Sequence, residues 1–268
     1  MITEREIRQI AGRTGLGTGQ AEHEYAMLCV LDALHQTPPL ADTFCLKGGT
    51  ALRLAYFDDW RHSVDLDFSV LPHFPSEELR KHVEAWLATV DVIHGVTVHL
   101  TDFHRANGAA RMRAQFTGPL RHPARLLLDV TLDEPVLLPP EEREVIISDF
   151  LPLRPVVLTY ALEEILVEKM RSILQRGKSR DYYDVWRLLR EKHIHLDLSR
   201  ANLILEQKCR HKDLDMPHAS AFLLARQLEE AGVYWERDLA QQVSPQPLPD
   251  WPTVVEELTE LLSRFFTA

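Results

Sequence analysis

The stretch that decides the fold is Lys47-Gly48-Gly49-Thr50-Ala51-Leu52-Arg53-Leu54-Ala55-Tyr56, continued by Phe57-Asp58-Asp59-Trp60-Arg61-His62-Ser63-Val64-Asp65-Leu66-Asp67-Phe68. Phe44, Cys45 and Leu46 read as the end of a buried strand, and Thr50 to Tyr56 as a helix. Between them stand two glycines. Glycines at a strand-to-helix turn let backbone N–H groups approach a phosphate, and a helix N-terminus favours negative charge. Val64 to Val70 then reads as a second strand. Side chains alternate faces along a strand, so Asp65 and Asp67 point one way while Leu66 and Phe68 point into a core. Two adjacent carboxylates repel unless something positive lies between them. A divalent metal does this well, and hard oxygen ligands suit Mg²⁺ or Mn²⁺. The bland alternative is a solvated strand face beside an ordinary tight turn.

A second block lies downstream. From Thr159 to Gln175, Leu162, Ile165, Leu166, Met170, Ile173 and Leu174 recur at helical spacing. By pattern alone Lys169 is one more cation on the exposed side of this helix. A further helix begins at Lys178 or Ser179, and it carries Asp181 and Asp184 one turn apart. Arg125 to Thr131 (Arg-Leu-Leu-Leu-Asp-Val-Thr) is an apolar run with one central acid, Asp129. An acid in a buried strand needs a metal or an arginine beside it.

With both blocks in view, the chain resembles the AbiEii/AbiGii-type nucleotidyltransferase toxins, members of the nucleotidyltransferase superfamily related to DNA polymerase β. The residues that carry the resemblance are Lys47-Gly48-Gly49-Thr50-Ala51-Leu52, Arg61-x-Ser63-x-Asp65-Leu66-Asp67-Phe68, Glu163 to Met170, and Arg180-Asp181-Tyr182-Tyr183-Asp184-Val185. It spans roughly Asp42 to Leu189. Many polymerase-β-like enzymes have serine after the glycine turn and a shorter run before the acids. Here Thr50 stands in that place and 14 residues, Ala51 to Val64, intervene; this matches the toxin family.

The resemblance implies an α+β fold: a polymerase-β-like nucleotidyltransferase core with a mostly α-helical C-terminal region. It implies a nucleoside triphosphate substrate bound near Gly48, Gly49, Thr50, Ser63, Lys169 and Arg180. Asp65 and Asp67 would hold Mg²⁺ (or Mn²⁺). Lys169 would touch the triphosphate, Asp181 would belong to the active site, and Asp184 would fix Arg180 or the helix–helix geometry. The superfamily also places a third acid on a neighbouring strand; Asp129 is the first candidate and Asp133 the competing one. The implied activity is transfer of a nucleotide to an acceptor hydroxyl with release of pyrophosphate. The acceptor implied is RNA, a tRNA 3′ end, which would inhibit translation. The implied setting is a type IV-like toxin–antitoxin or abortive-infection system with a cognate antitoxin. Two other readings stay open: transfer of nucleotide or phosphate to a protein side chain, and a non-catalytic nucleotide-binding partner.

The whole chain sets bounds on these readings. Its 268 residues, 45% hydrophobic and 26% charged, describe an ordinary globular protein. No apolar run is long enough to span a membrane. Met-Ile-Thr-Glu-Arg-Glu carries no signal peptide, and Cys29, Cys45 and Cys209 form neither zinc spacing nor a disulfide framework. A cytoplasmic protein is the expectation. The formal net charge of −10 opposes general nucleic-acid affinity. Yet Arg105, Arg111, Arg113, Arg121 and Arg125 fall in one stretch without an acid, and Lys169, Arg171, Arg176, Lys178 and Arg180 in another. These could form a positive rim or be scattered solvated cations.

The expected organisation is residues 1–158, N-terminal helices plus the nucleotidyltransferase core, followed by a helical domain over 159–268 that contributes to the active site. A helix over 20–36 would turn Tyr25, Leu28, Cys29, Leu31 and Leu34 inward. Ser76 would N-cap a helix to Thr89, and Thr18 would cap the one after the Gly15–Gly19 connector. Strands are expected over 95–103, 109–117 and 125–133, and a loop over 135–140. His193, His195 and Asp197 read as a polar helix end rather than a metal cluster.

Overall fold

The computed structural model describes residues 1–146, 154–243 and 245–268. They divide into two compact units: residues 1–136 with 140–160, and residues 137–139 with 161–268.

The first unit is built on a seven-stranded sheet. In chain order its strands are β1 (Phe44–Lys47), β2 (Asp65–Val70), β3 (Thr97–Ala106), β4 (Ala109–Thr117), β5 (Pro123–Thr131), β6 (Glu141–Glu144) and β7 (Val156–Thr159), and their spatial order is β3-β4-β5-β2-β1-β7-β6. β3, β4 and β5 form an antiparallel meander. Its first turn is Asn107-Gly108, both at positive φ (50° and 70°), the pair that a two-residue hairpin of this hand requires. β5 then pairs in parallel with β2, while β1 pairs antiparallel with β2 and parallel with β7.

Helices α1 (Glu4–Thr14), α2 (Thr18–His35) and α4 (Leu79–His94) also belong to this unit, with α3 (Gly48–Ala51) directly after β1. α3 continues into a wider π-type turn over Leu52–Tyr56. α2 and α4 pack on one face of the sheet, and the Trp86 indole N–H donates to the Val30 carbonyl at 2.8 Å. Phe44, Phe68 and Trp86 meet there with ring centroids 5.4–6.1 Å apart. Each is a strand or helix residue whose turn toward that face follows from its own element's period. The other face of β2–β5 is polar.

α2 is buried nearly all round, from Ala21 to Leu34 apart from His23. The expected one-sided helix is therefore corrected: α1 covers the side that the sheet and α4 leave. Thr18 is the first residue of α2 rather than its cap; Gly17 precedes it, and its N–H donates to the Gln20 side chain at 2.9 Å. Ser76 likewise does not cap α4. It opens a 3₁₀ turn, and its carbonyl accepts from Arg105 at 2.8 Å. The expected loop over 135–140 has no helix or strand.

The second unit is helical: α5 (Leu162–Arg176), α6 (Ser179–Arg190), α7 (Leu198–His211), α8 (Ala225–Val243) and α9 (Trp251–Thr267). α5 ends at Gly177 in the left-handed conformation, φ 54°, the usual helix stop. Lys208 on α7 is fully buried. Its ammonium lies 2.8 Å from Glu164 and 3.2 Å from Glu168 on α5. The Glu164 carboxylate also accepts the backbone N–H groups of Leu137 and Leu138 at 2.9–3.2 Å. This explains why residues 137–139 pack with the second unit. A carboxylate with this many donors is one of the few charges that can stay fully buried.

Candidate active site

The glycine turn sits where β1 becomes α3. Gly48 has φ +71°, and a Cβ built there would lie 2.5 Å from the Asp67 Oδ2. At Gly49 a Cβ would meet the Arg61 guanidinium at 2.8 Å and the Ser63 hydroxyl at 3.2 Å. Gly48 is favoured both by its left-handed backbone and by the close approach of Asp67, whereas at Gly49 the near atoms are side-chain ends; the turn brings Gly48 to Asp67 and Gly49 to Arg61 and Ser63. Thr50 is fully buried, and its hydroxyl donates to the Asp65 carbonyl. That bond ties the start of the helix to the start of β2.

The register across the sheet assembles a row of charges. Lys47 on β1 is paired with Asp67 on β2, Asp67 with Asp129 on β5, and Asp129 with Arg111 on β4. Directly paired residues share a face, so these four side chains project to the polar side. Asp65 lies two residues back on the same face. All three aspartates are half-buried. The Arg111 Nε is 3.8 Å from Asp129. Asp133, the competing third acid, lies elsewhere: it crowds Gly108 at the β3–β4 turn, and its N–H donates to the Gly108 carbonyl at 3.2 Å.

Lys47 was part of the quoted motif but not among the candidate site residues. It is 8% exposed, with its ammonium 3.1 Å from the Thr131 hydroxyl and 5.5 Å from the centre of the Tyr160 ring. A buried cation beside Asp67 offsets part of the repulsion between the carboxylates. Its place next to the glycines, at the last position of a strand whose partner carries the acids, was the available signal. Arg61 is buried as well and donates to the His62 carbonyl at 3.2 Å. The loop before β2 is fixed by Glu24 on α2, whose carboxylate receives Arg53 at 3.2 Å and His62 at 3.3 Å. Burial is the largest influence on Glu24 and pushes its pKa up, but the His62 hydrogen bond and the Arg53 and His62 charges outweigh it, so the pKa ends below its ordinary value.

Whether these residues suit a hard divalent ion can be judged from the donors. Among the described residues no three His, Cys, Asp or Glu side chains close a metal cage. Mg²⁺ does not need one: it is commonly held by one or two carboxylates together with water and substrate phosphates. Asp65 and Asp67 on one face, with Asp129 in register and an all-oxygen donor set, fit such an ion.

The other candidate residues lie in the second unit. Lys169 on α5 is 7% exposed. Its ammonium is 2.8 Å from Asp184 and 3.7 Å from Asp181, both fully buried on α6. Asp181 also receives the Arg176 guanidinium in a two-bond fork at 2.9 and 3.1 Å. Lys169 is thus not an exposed helix cation: the two aspartates hold it in a fixed position between α5 and α6. The Asp184 carboxylate links α6 to α5 through the Lys169 ammonium. Arg180 is half-buried at the start of α6. His193, His195 and Asp197 follow α6, and Asp197 caps α7 by accepting the Arg200 N–H at 2.9 Å.

No helix among the described residues is long and apolar enough to cross a membrane. No curated protein sequence matches the chain. Among solved structures, the fold is similar to that of MenT4, a nucleotidyltransferase toxin from Mycobacterium tuberculosis H37Rv. The TM-score is 0.72 at 17% identity, with 100% of this chain and 91% of that chain covered. The family model described as "Nucleotidyl transferase AbiEii toxin, Type IV TA system" matches residues 30–257. That span contains the glycine turn, the Asp65–Asp67 strand, Asp129 and the Lys169–Asp181–Asp184 cluster. The chain belongs to the AbiEii nucleotidyltransferase toxin family, an enzyme class that acts on nucleoside triphosphates within type IV toxin–antitoxin systems.

Proposed function

We propose that this protein transfers a nucleotide from a nucleoside triphosphate to the 3′ hydroxyl of a tRNA and so inhibits translation, with Asp65, Asp67 and Asp129 at the reacting end. The observation that carries this reading is the alignment of Asp67 with Asp129 on the face that also bears Asp65, beside a glycine turn whose left-handed Gly48 lies close against Asp67. Asp65 and Asp67 would hold Mg²⁺ or Mn²⁺. When bound, such an ion neutralises the triphosphate and stabilises the attacking and leaving oxygens of an in-line displacement.

The chain's own groups do the rest. Backbone N–H groups at Gly48 and Gly49, and the Ser63 hydroxyl beside them, orient the phosphates. Asp129 takes up the proton of the acceptor hydroxyl. Lys47 moderates the charge at Asp67. Thr50 acts by position, holding β2 in place against the glycine turn. In the second unit, Lys169 and Arg180 are assigned to the triphosphate, as the resemblance implies, and Asp181 with Asp184 to setting the lysine's position. The neutralising partner is a cognate antitoxin.

The test is a labelling assay. The protein is incubated with Mg²⁺, each labelled nucleoside triphosphate in turn, and total RNA or total cell protein. An Asp65→Ala/Asp67→Ala variant runs beside it. Label on RNA, abolished in the variant and recovered in the tRNA fraction, is the expected result. Label on protein alone, or label on RNA that survives in the variant, would overturn the reading.

A further inference from the structure

The five arginines between Phe103 and Leu128 do not act together, because the sheet sorts them. Arg105 turns to the helix-covered face and binds the Ser76 carbonyl. Arg121 lies in the β4–β5 turn at φ 58°. The other three are on the polar face: Arg111 and Arg113 on β4, and Arg125 on β5 opposite Gln115. Their neighbours on that face include, on β3, His104, opposite Arg111, His99, opposite Gln115, and Asp102, opposite Arg113, and, on β5, the exposed Leu127, opposite Arg113. The side chains of Arg111 and Arg113 are 81% and 64% exposed, and Arg125 is exposed too.

This strip is a local exception on a chain of net charge −10. Its acids are Asp102, 3.5 Å from Arg113, and Asp129, near Arg111. Exposed pairs at such distances hold weakly and are readily exchanged for a phosphate. The strip also has a direction. It is continuous, through the Arg111–Asp129–Asp67 row, with the carboxylate pair.

We infer that the polar face of β3–β4–β5 is the docking surface for the sugar–phosphate backbone of the RNA acceptor, whose phosphates lie on Arg113 and Arg125 so that its 3′ hydroxyl is led past Arg111 to Asp129. This rests on the proposed function and adds to it the surface that receives the acceptor. Arg113 on β4 and Arg125 on β5 are diagonal neighbours on this face, about 7–8 Å apart, a spacing suited to neighbouring phosphates of an extended strand.

The test measures binding of a short fluorescein-labelled single-stranded RNA with a free 3′ hydroxyl, by anisotropy over a salt series, without nucleotide. The proteins are wild type, Arg113→Gln/Arg125→Gln and Arg113→Lys/Arg125→Lys. Each phosphate contact contributes about 0.7 to the slope of log K against log salt for a single strand. The glutamine variant is therefore expected to lose about 1.4 from that slope and roughly 25-fold in affinity near 0.1 M salt. The lysine variant keeps most of both, which separates lost charge from lost fold.

If the glutamine variant binds with wild-type affinity and slope while wild type labels RNA, the docking surface is wrong and the transferase reading stands. The face would then be left for another occupant, such as an acidic protein. If wild type neither binds nor labels RNA, the acceptor class itself is wrong and the inference falls with it.

Discussion

Replacing Gly48 by alanine tests whether the glycine turn is shaped by Asp67. Two costs follow from the geometry. At φ +71° an L-residue is in the left-handed region, at about 1–2 kcal/mol. The added Cβ would also lie 2.5 Å from the Asp67 Oδ2, closer than real contacts allow. Relief requires that carboxylate to leave its rotamer, at about 0.5–1.5 kcal/mol. The sum is about 1.5–3.5 kcal/mol, or a melting point lowered by roughly 3–14 °C for a chain of this size. The assay is calorimetric melting of wild type, Gly48→Ala, Asp67→Ala and the double variant. Removing the carboxylate abolishes the clash but not the backbone cost, so the cycle should show a favourable coupling of about 0.5–1.5 kcal/mol. Strict additivity, or a Gly48→Ala protein that melts like wild type, would refute the claim that Asp67 and the turn are packed against each other.

Three further outcomes follow from other parts of the molecule. Asp184→Asn removes the carboxylate 2.8 Å from the buried Lys169 ammonium and should destabilise the second unit by about 3–5 kcal/mol, read from the urea midpoint of helical ellipticity. Asp65→Ala/Asp67→Ala should abolish Mn²⁺ binding in titration calorimetry while retaining the wild-type far-ultraviolet spectrum. Glu24 has a pKa below its ordinary 4.5. A depressed carboxylate stabilises the fold fully above 4.5 and ceases to do so as pH falls through its folded pKa. Glu24→Gln should therefore be less stable than wild type at neutral pH and lose less on acidification below 4.5, measured by melting across acetate and formate buffers.

What could be read from the sequence was local. The alternation Asp65-Leu66-Asp67-Phe68 determines which side chains share a face whatever the neighbouring strands are. The glycine turn and the helices of the second unit are similarly short-range patterns. The position of Asp129 is of another kind: it depends on a parallel pairing of β2 with β5 across a long intervening segment, which no window of sequence displays. Asp133, the competing candidate, lies only four residues on in the same run, and only the register shows that it sits against Gly108 at the hairpin turn rather than in the row with Asp67. Lys169 illustrates a second limit. Its helical position reads as exposed, and only the packing of α6 supplies the two carboxylates that allow it to be buried. The burial of α2 on nearly every side had the same cause, since a helix pattern reports one covering surface and α1 provided another.

The carboxylate of Glu164 has a consequence for anyone who would divide this protein. Because it grips the N–H groups of Leu137 and Leu138, the backbone leaves the sheet-bearing unit after Val136, returns at Pro140, and leaves again after Tyr160. The gene therefore has no single point at which cutting yields two self-contained pieces. A fragment ending at Tyr160 would carry three residues of packing that belongs to the other half, and a fragment starting at Ala161 would expose a buried acid and strand Lys208 with fewer bonds around it. Functional complementation between separately expressed halves would need residues 137–139 duplicated in the second, so that each piece can complete its own interior.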